Sequence, residues 1–297
     1  MPVGEAGTAP DAASRLDGRV AVVTGAGRGL GRAYAFALAA AGAAVVVNDL
    51  DAEPAAAVVA AIEAHGGRAT TCGASVADAD GGERIVAVAL DRFGRLDAMV
   101  TNAGADRRGA LLDLTPDDWD LTLRTHLGGS ITCSVAAARA MRDQGDGGAI
   151  VLVTSGAFHL GSATLGPYAV AKGGVYALMR ALSVELEAIG ISVNAVMPPL
   201  VGTAQALAWV DDLVRQGVPA AEVATIRAAA GRPEDIAPLV VHLCSPAGRT
   251  ITGHLFRPTT TSLGLFAPPR EIRSVATDAP GWTPDTLAAA LPALFES

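Results

Sequence analysis

Short apolar runs without alternation recur along most of the chain, each closed by a glycine or a polar residue and followed by a longer stretch of helical character. RVAVVTG (19–25) is the first of these, and its β-branched residues ending in glycine predict a buried strand. AAVVVND (43–49), GGRATTC (66–72), LDAMVTNAG (96–104), GGAIVLVTS (147–155) and ISVNAVMPP (191–199) predict five more strands. Between them, helical stretches run to about Ala41, where Gly42 stops the first, then over 53–65, 78–93, about 116–143 and about 167–188. Strands that do not alternate are buried on both faces, which calls for a parallel sheet covered by helices. Right-handed crossovers then make an α/β doubly wound Rossmann fold of about seven strands in one domain.

After Pro199 the pattern loosens. Weak helical patches surround Trp209 and Ala224, within a loop over about 200–230, and RPEDIAPLVVHLCS (232–245) predicts a further helix. The final segment is rich in proline and threonine, with GWTPDTLAAALPALF (281–295) as a short closing helix. The expected organisation is an N-terminal tail over 1–15, a catalytic domain over 16–258 and a C-terminal extension over 259–297.

Composition narrows the function classes. With 297 residues, 51% of them hydrophobic, the chain can bury one large core. A net charge of −8, with no cluster of lysine or arginine to override it, argues against holding nucleic acid through its phosphates. Cys72, Cys133 and Cys244 are scattered and form no metal-ligand pattern, so they are expected as buried thiols in a reducing compartment, with no metal site. The N-terminal residues lack the apolar segment of a secretory signal, and the apolar run over 33–47 is too short to span a membrane. A soluble, cytoplasmic protein is expected.

Two stretches carry chemistry. TGAGRGLG (24–31) lies between the first strand and the first helix, where glycines let the backbone turn tightly and come close to a phosphate. A pyrophosphate would then sit over the helix N-terminus, facing amide donors and the positive end of the dipole. Asp49, at the end of the second strand, is placed to accept from the hydroxyls of an adenosine ribose and to repel a 2′-phosphate. The second stretch is SGAFHLGSATLGPYAVAK (155–172), in which Tyr168 and Lys172 stand four apart and share one helix face. A free tyrosine titrates near ~10, and a neighbouring ammonium favours its phenolate. Such a tyrosine can take a proton from an alcohol or return it to a carbonyl, with Ser155 holding the substrate oxygen.

The spacing of the turn, Gly25-x-x-x-Gly29-x-Gly31, resembles that of the short-chain dehydrogenase/reductase family. Further motifs follow in family order: Asn102-Ala103-Gly104, Ser155, Tyr168-x-x-x-Lys172, VNAVMPP, GRPEDIA and ITG (251–253). The resemblance covers roughly residues 16 to 258 and implies a nicotinamide-dependent oxidoreductase with Ser155, Tyr168 and Lys172 as its catalytic trio. It also implies that Lys172 binds the nicotinamide ribose and that Thr203 contacts the nicotinamide amide. Gly25, Gly29, Leu30, Gly31, Asn102, Ala103, Gly104, Tyr168, Pro198 and Val201 complete the cofactor set, together with Arg28, a basic residue of the kind found in NADP-preferring relatives. Asp49 outweighs Arg28, and NAD is the expected cofactor, with NADP the less favoured one. Where the family has an asparagine after the fourth strand, this chain has His126, expected either to pack or to serve the proton path. Pro198-Pro199 replaces a Pro-Gly, and no match to the adenine-binding aspartate stands after the third strand.

Phe158, His159, Leu165, Leu207 and Trp209 outline an apolar pocket for a hydrophobic secondary alcohol or ketone, with core packing as the competing role for Phe158 and Trp209. The second strand, His126 and the C-terminal segment resemble the subgroup that includes the 3-hydroxyacyl-CoA dehydrogenase part of peroxisomal multifunctional β-oxidation protein and bacterial enzymes acting on hydroxysteroids. Expected substrates are therefore a 3-hydroxyacyl-CoA or a hydroxysteroid, then a terpenoid or polyketide alcohol. A dinucleotide-binding sensor or scaffold without turnover is the alternative of another class. The family resemblance also implies a homo-oligomer, a tetramer or a dimer.

Overall fold

The computed structural model describes residues 15–277, except 106, 162 and 216, and residues 281–295. The expected tail over 1–15 lies outside the described residues, apart from Arg15, which pairs with Asp17 at 2.5 Å. In chain order the elements are β1 (Val20–Thr24), α1 (Gly29–Ala40), β2 (Ala44–Asn48), α2 (Ala52–Ala64), β3 (Arg68–Cys72), α3 (Gly81–Phe93) and β4 (Ala98–Thr101). Next come α4 (Pro116–Leu123), a π turn (Arg124–Gly128), α5 (Gly129–Gln144), β5 (Gly148–Val153), α6 (Ala157–Leu160), α7 (Gly166–Leu186) and β6 (Ile191–Val196). The remainder is α8 (Ala204–Arg215), α9 (Ala220–Ala228), α10 (Pro233–Cys244), β7 (Leu255–Pro258), β8 (Leu263–Phe266) and α11 (Pro284–Ala290).

The strands form one eight-stranded sheet in the order β3-β2-β1-β4-β5-β6-β7-β8. Neighbours from β3 through β7 pair in parallel. The order reverses between β1 and β4, and in such sheets the crevice at that switch, beyond the carboxyl ends of the strands, receives the ligand. The glycine turn leaves β1 at that crevice, and Asn102 follows β4 there. Every residue of β1, β2, β4, β5 and β6 is buried, as the unbroken apolar runs demand. β3 lies at the edge and is buried only at Ala69 and Cys72, in keeping with its RATTC sequence.

An eighth strand comes from a hairpin in the segment HLFRPTTTSLGLF. The Thr259 N–H donates to Ser262 O at 2.7 Å, and the Thr259 hydroxyl accepts from the Ser262 N–H at 2.9 Å, which closes the turn between β7 and β8.

Helices on each face approach closely where residues are small. Gly82 of α3 lies against α5 so tightly that a Cβ there would be 2.2 Å from the Thr132 carbonyl oxygen. One apolar cluster joins Val23, Tyr34, Leu38, Val45, Val151 and Val240, linking β1, α1, β2, β5 and α10. Cys72, Cys133 and Cys244 are buried free thiols, and burial pushes Cys133 and Cys244 up to about 12.

The chain divides into two compact units, one up to Leu265 and one from Phe266. In the second, α11 is capped by Thr283, whose hydroxyl accepts from the Thr286 N–H at 3.2 Å. Among the described residues no helix is long and apolar enough to cross a membrane, and no cluster of histidine, cysteine and carboxylate side chains is arranged to hold a metal.

Candidate active site

The glycine turn is locked to the end of β4. Gly25 adopts φ +62°, and a Cβ there would lie 2.8 Å from the Ala103 Cα. At Gly31 a Cβ would be 2.2 Å from Gly25 O, so neither position admits a side chain. The Asn102 side-chain amide donates to Thr24 O at 3.0 Å and to Gly25 O at 3.1 Å. The Thr24 hydroxyl accepts from the N–H groups of both Asn102 and Ala103 at 3.0 Å. Asn102 thereby joins two turns, a role the motif alone did not reveal. Beyond the turn, α1 opens without a side-chain cap and without an acidic residue in its first turn, which suits an anion at its amide donors. The side chain of Leu30 packs against the core.

Asp49 folds back onto this turn. Its Oδ2 accepts from the Gly27 N–H at 2.8 Å and its Oδ1 from the Asp51 N–H at 3.1 Å. Arg28 turns away to pair with Asp51 at 2.5 Å, both side chains being more than half exposed. On the other side, a Cβ on Gly29 would meet the Thr203 methyl at 3.0 Å. Thr203 is fixed by its N–H donating to Val201 O at 2.7 Å, and its hydroxyl accepts from the Ala206 N–H at 3.2 Å at the start of α8. Val201 is buried and bridges to Gly231, while Pro198 before it is half-buried. A tight turn, uncapped amide donors and a fixed carboxylate fit the dinucleotide that the sequence motifs imply.

Lys172 and Tyr168 lie on successive turns of α7. Lys172 is 4% exposed, and its Nζ donates to Val153 O at 2.7 Å, which answers part of the cost of burying an ammonium. The same Nζ stands 5.6 Å from the centre of the half-buried Tyr168 ring. The Thr154 hydroxyl donates to Lys172 O at 2.8 Å, tying the end of β5 to α7. One residue further on, the half-buried Ser155 accepts at its Oγ from the Ala157 N–H at 3.3 Å.

His126 sits in the π turn, buried, with its ring edge-on to Tyr168 at 5.0 Å between centres. A Cβ on Gly104 would lie 2.0 Å from its Cε1, so the imidazole rests directly on that glycine. Burial, with the Lys172 charge as a second cause, holds its pKa well below the ordinary histidine value.

The pocket residues divide. Phe158 of α6 stacks on Tyr176 of α7 at 5.4 Å and 11°, a packing role alongside the expected lining one. His159 and Leu160 are exposed, and the His159 ring meets Phe158 edge-on at 4.9 Å. Leu165 is half-buried just before α7, and Leu111 comes so close to that helix start that a Cβ on Gly166 would be 2.1 Å from it. Leu207 and Trp209 are half-buried on α8, joined to the glycine-turn side by the Leu207 N–H donating to Thr203 O at 2.9 Å. Leu111, Tyr176 and Asp51 were not foreseen. Of these, only Asp51 left a signal, as the second carboxylate in NDLD two residues after Asp49.

Comparison with known proteins agrees with this geometry. The family model of the short chain dehydrogenases matches residues 19–213. The chain is 40% identical over 237 residues to the short-chain reductase protein NovJ of Streptomyces niveus, covering 79% of this chain and 90% of that protein. It is 37% identical to the peroxisomal multifunctional enzyme type 2 of Mus musculus, over 77% of this chain but 30% of that longer protein. A short chain dehydrogenase from Mycobacterium avium superposes with a TM-score of 0.80 at 30% identity, covering 94% of this chain and 95% of the other. The chain belongs to the short-chain dehydrogenase family. It is an oxidoreductase of the class that uses a nicotinamide cofactor on alcohol or ketone groups.

Proposed function

We propose that the protein is an NAD-dependent alcohol dehydrogenase or ketoreductase acting on a hydrophobic secondary alcohol or its ketone, with a 3-hydroxyacyl-CoA or a hydroxysteroid as substrate. The observation that carries the chemistry is the buried Lys172 ammonium, 5.6 Å from the ring of a half-buried Tyr168. When bound, the nicotinamide supplies the acceptor or donor of a hydride. Tyr168 takes the alcohol proton at its phenolic oxygen, or returns it in the reverse direction, and the Lys172 charge favours the phenolate. Ser155 holds the substrate oxygen by a hydrogen bond. Gly25, Gly29 and Gly31 admit the pyrophosphate, while Asn102 keeps the turn closed from β4.

Two features support NAD over NADP. The Asp49 carboxylate is held at the turn by the Gly27 N–H, and the Arg28 cation is taken up by Asp51. The subgroup reading draws support from the 36% identity over 240 residues to the (2S)-[(R)-hydroxy(phenyl)methyl]succinyl-CoA dehydrogenase subunit BbsD of Thauera aromatica, an enzyme named for a CoA ester. Similarity to versicolorin reductase stcU of Emericella nidulans, 34% over 251 residues, keeps a polyketide alcohol as the second choice.

The test is NADH or NADPH formation by the purified protein with a medium-chain 3-hydroxyacyl-CoA, a 17β-hydroxysteroid and a cyclic terpene alcohol, with Tyr168→Phe as control. Turnover with NAD on one of the first two, lost in the variant, is expected. Turnover with NADP alone would overturn the cofactor assignment. Tight NAD binding without turnover of any alcohol would favour the sensor alternative.

A further inference from the structure

Ser155 stands at the head of a segment with little support of its own. It leads into α6, four residues with none buried and no side-chain cap, set between Gly156 and Gly161, the latter at φ +74°. A helix of that length is unstable in isolation and takes its place from tertiary contact. Its own hydrogen bonds are long, with the Phe158 N–H donating to Ser155 O at 3.4 Å and the His159 N–H to Gly156 O at 3.2 Å. Against this stands a well-formed aromatic contact. Phe158 lies on Tyr176 of α7, ring centres 5.4 Å apart and planes 11° from parallel, within the range of an offset stack. The same helix rests near Gly173, where a Cβ would touch the Phe158 Cβ at 3.7 Å. Tyr168, Lys172 and Tyr176 follow one another at intervals of four, so they lie toward one side of α7.

We infer that Tyr176 is a positioning residue for Ser155: by stacking on Phe158 it fixes α6, and with it the direction of the Ser155 hydroxyl. The inference rests on the reading of Ser155 as the group that holds the substrate oxygen. Ser155 is tied to α7 from both sides. Upstream, the Thr154 hydroxyl donates to Lys172 O at 2.8 Å and the Lys172 Nζ donates to Val153 O at 2.7 Å. Downstream, the tie is the ring of Tyr176 under Phe158. The Ser155 Oγ accepts from the Ala157 N–H at 3.3 Å, so the hydroxyl takes its direction from the first residue of α6 and moves when that helix moves. A misplacement of a fraction of an ångström at a group that orients substrate is enough to slow a reaction. The flat ring does this work and the phenolic oxygen has no part in it. Phenylalanine at 176 therefore serves equally, whereas an aliphatic side chain fills the space without offering a face to stack on.

The experiment compares the wild type with Tyr176→Leu, Tyr176→Phe and Phe158→Leu, the last breaking the same stack from the other side should Tyr176→Leu fail to fold. With the preferred alcohol, Tyr176→Leu is expected to lose about 3- to 10-fold in kcat/KM at unchanged Kd for NAD, and Tyr176→Phe to keep the wild-type value. A residue that acts through Ser155 loses its effect once that hydroxyl is gone, so Tyr176→Leu added to Ser155→Ala should cost nothing further. Wild-type kcat/KM in Tyr176→Leu, an equal loss in Tyr176→Phe, or a loss that persists in full on Ser155→Ala overturns the inference. In parallel, amide hydrogen exchange over residues 156–161 is followed by mass in all four proteins without substrate. Faster exchange there in both leucine variants, with β5 unchanged and Tyr176→Phe like the wild type, supports the inference even if no alcohol in the panel is turned over. Exchange at the wild-type rate in both leucine variants overturns it, whatever the fate of the proposed reaction.

Discussion

On the proposed assignment of NAD, Asp51 is a single exposed residue that would set the cofactor preference without touching the ligand. Its pair with Arg28 is solvent-exposed and by itself worth little to stability. Its proposed effect lies in engaging the Arg28 cation that would otherwise be available to a 2′-phosphate. Asp51→Asn is expected to improve kcat/KM for NADP about 3- to 10-fold while changing that for NAD little, a shift of ~1 kcal/mol in preference, read by initial rates with each cofactor. Asp49→Ser, by contrast, should weaken NAD itself, because it removes the carboxylate fixed by the Gly27 and Asp51 amides. At the trio, Ser155→Ala is expected to lower kcat ~10²-fold, with NAD affinity retained in a fluorescence titration. The trio and the glycine turn stood out in the sequence because the chemical roles proposed for them each demand one residue type at one spacing. Asp51 was not, because an ion pair across a turn depends on side-chain direction.

Elements obey the same distinction. The six strands read from short runs all formed, and five of them, β1, β2, β4, β5 and β6, are buried along their whole length, as mostly apolar runs without alternation demand. β7 and β8 escaped because LFRP and LGLF are short, carry an arginine, a proline or a glycine, and gain their pairing from the sheet edge and the Thr259–Ser262 turn. The long helical region around residue 126 was legible as helix, but its division by a π turn was not. Pro238, inside α10, would ordinarily argue against helix, yet the helix runs past it with six buried residues holding it to the core. At the α3–α5 contact, Gly82→Ala would gain helix propensity but drive a methyl to 2.2 Å from Thr132 O. The collision should prevail, with a net loss of about 1–3 kcal/mol in urea unfolding.

For the whole molecule, two buried ionisable groups give stability a definite dependence on pH. His126 stays neutral in the fold, whereas in the unfolded chain it titrates near ~6.5. Below that value the unfolded state binds the extra proton, so stability is full above ~6.5 and falls as the solution is acidified toward the lower folded value. Asp97 acts at lower pH. Burial alone would raise its carboxyl, but hydrogen bonds from Arg95, the Val20 N–H and Arg19 hold it below the usual value. Its contribution is present above ~3.9 and is lost as pH falls further. Thermal melts from pH 8 to 5 should therefore show a decline that His126→Asn flattens and that Asp97→Asn does not. A chain ending at Ala267 keeps the whole apolar cluster and should melt cooperatively, a point that calorimetry would check.

The three sealed thiols give the protein a built-in clock for its own opening. Cys72 ends β3, Cys133 lies in α5 and Cys244 closes α10, so each reports on a different part of the molecule. A buried thiol reacts with an alkylating reagent only while its surroundings are open, and burial makes Cys133 and Cys244 reluctant to ionise as well. Mass-resolved labelling over time would then rank the edge strand, the inter-helix contact and the helix beneath the sheet by how often each one breathes. Slowing on addition of NAD would show which of the three the cofactor holds shut, without any substrate having to be identified.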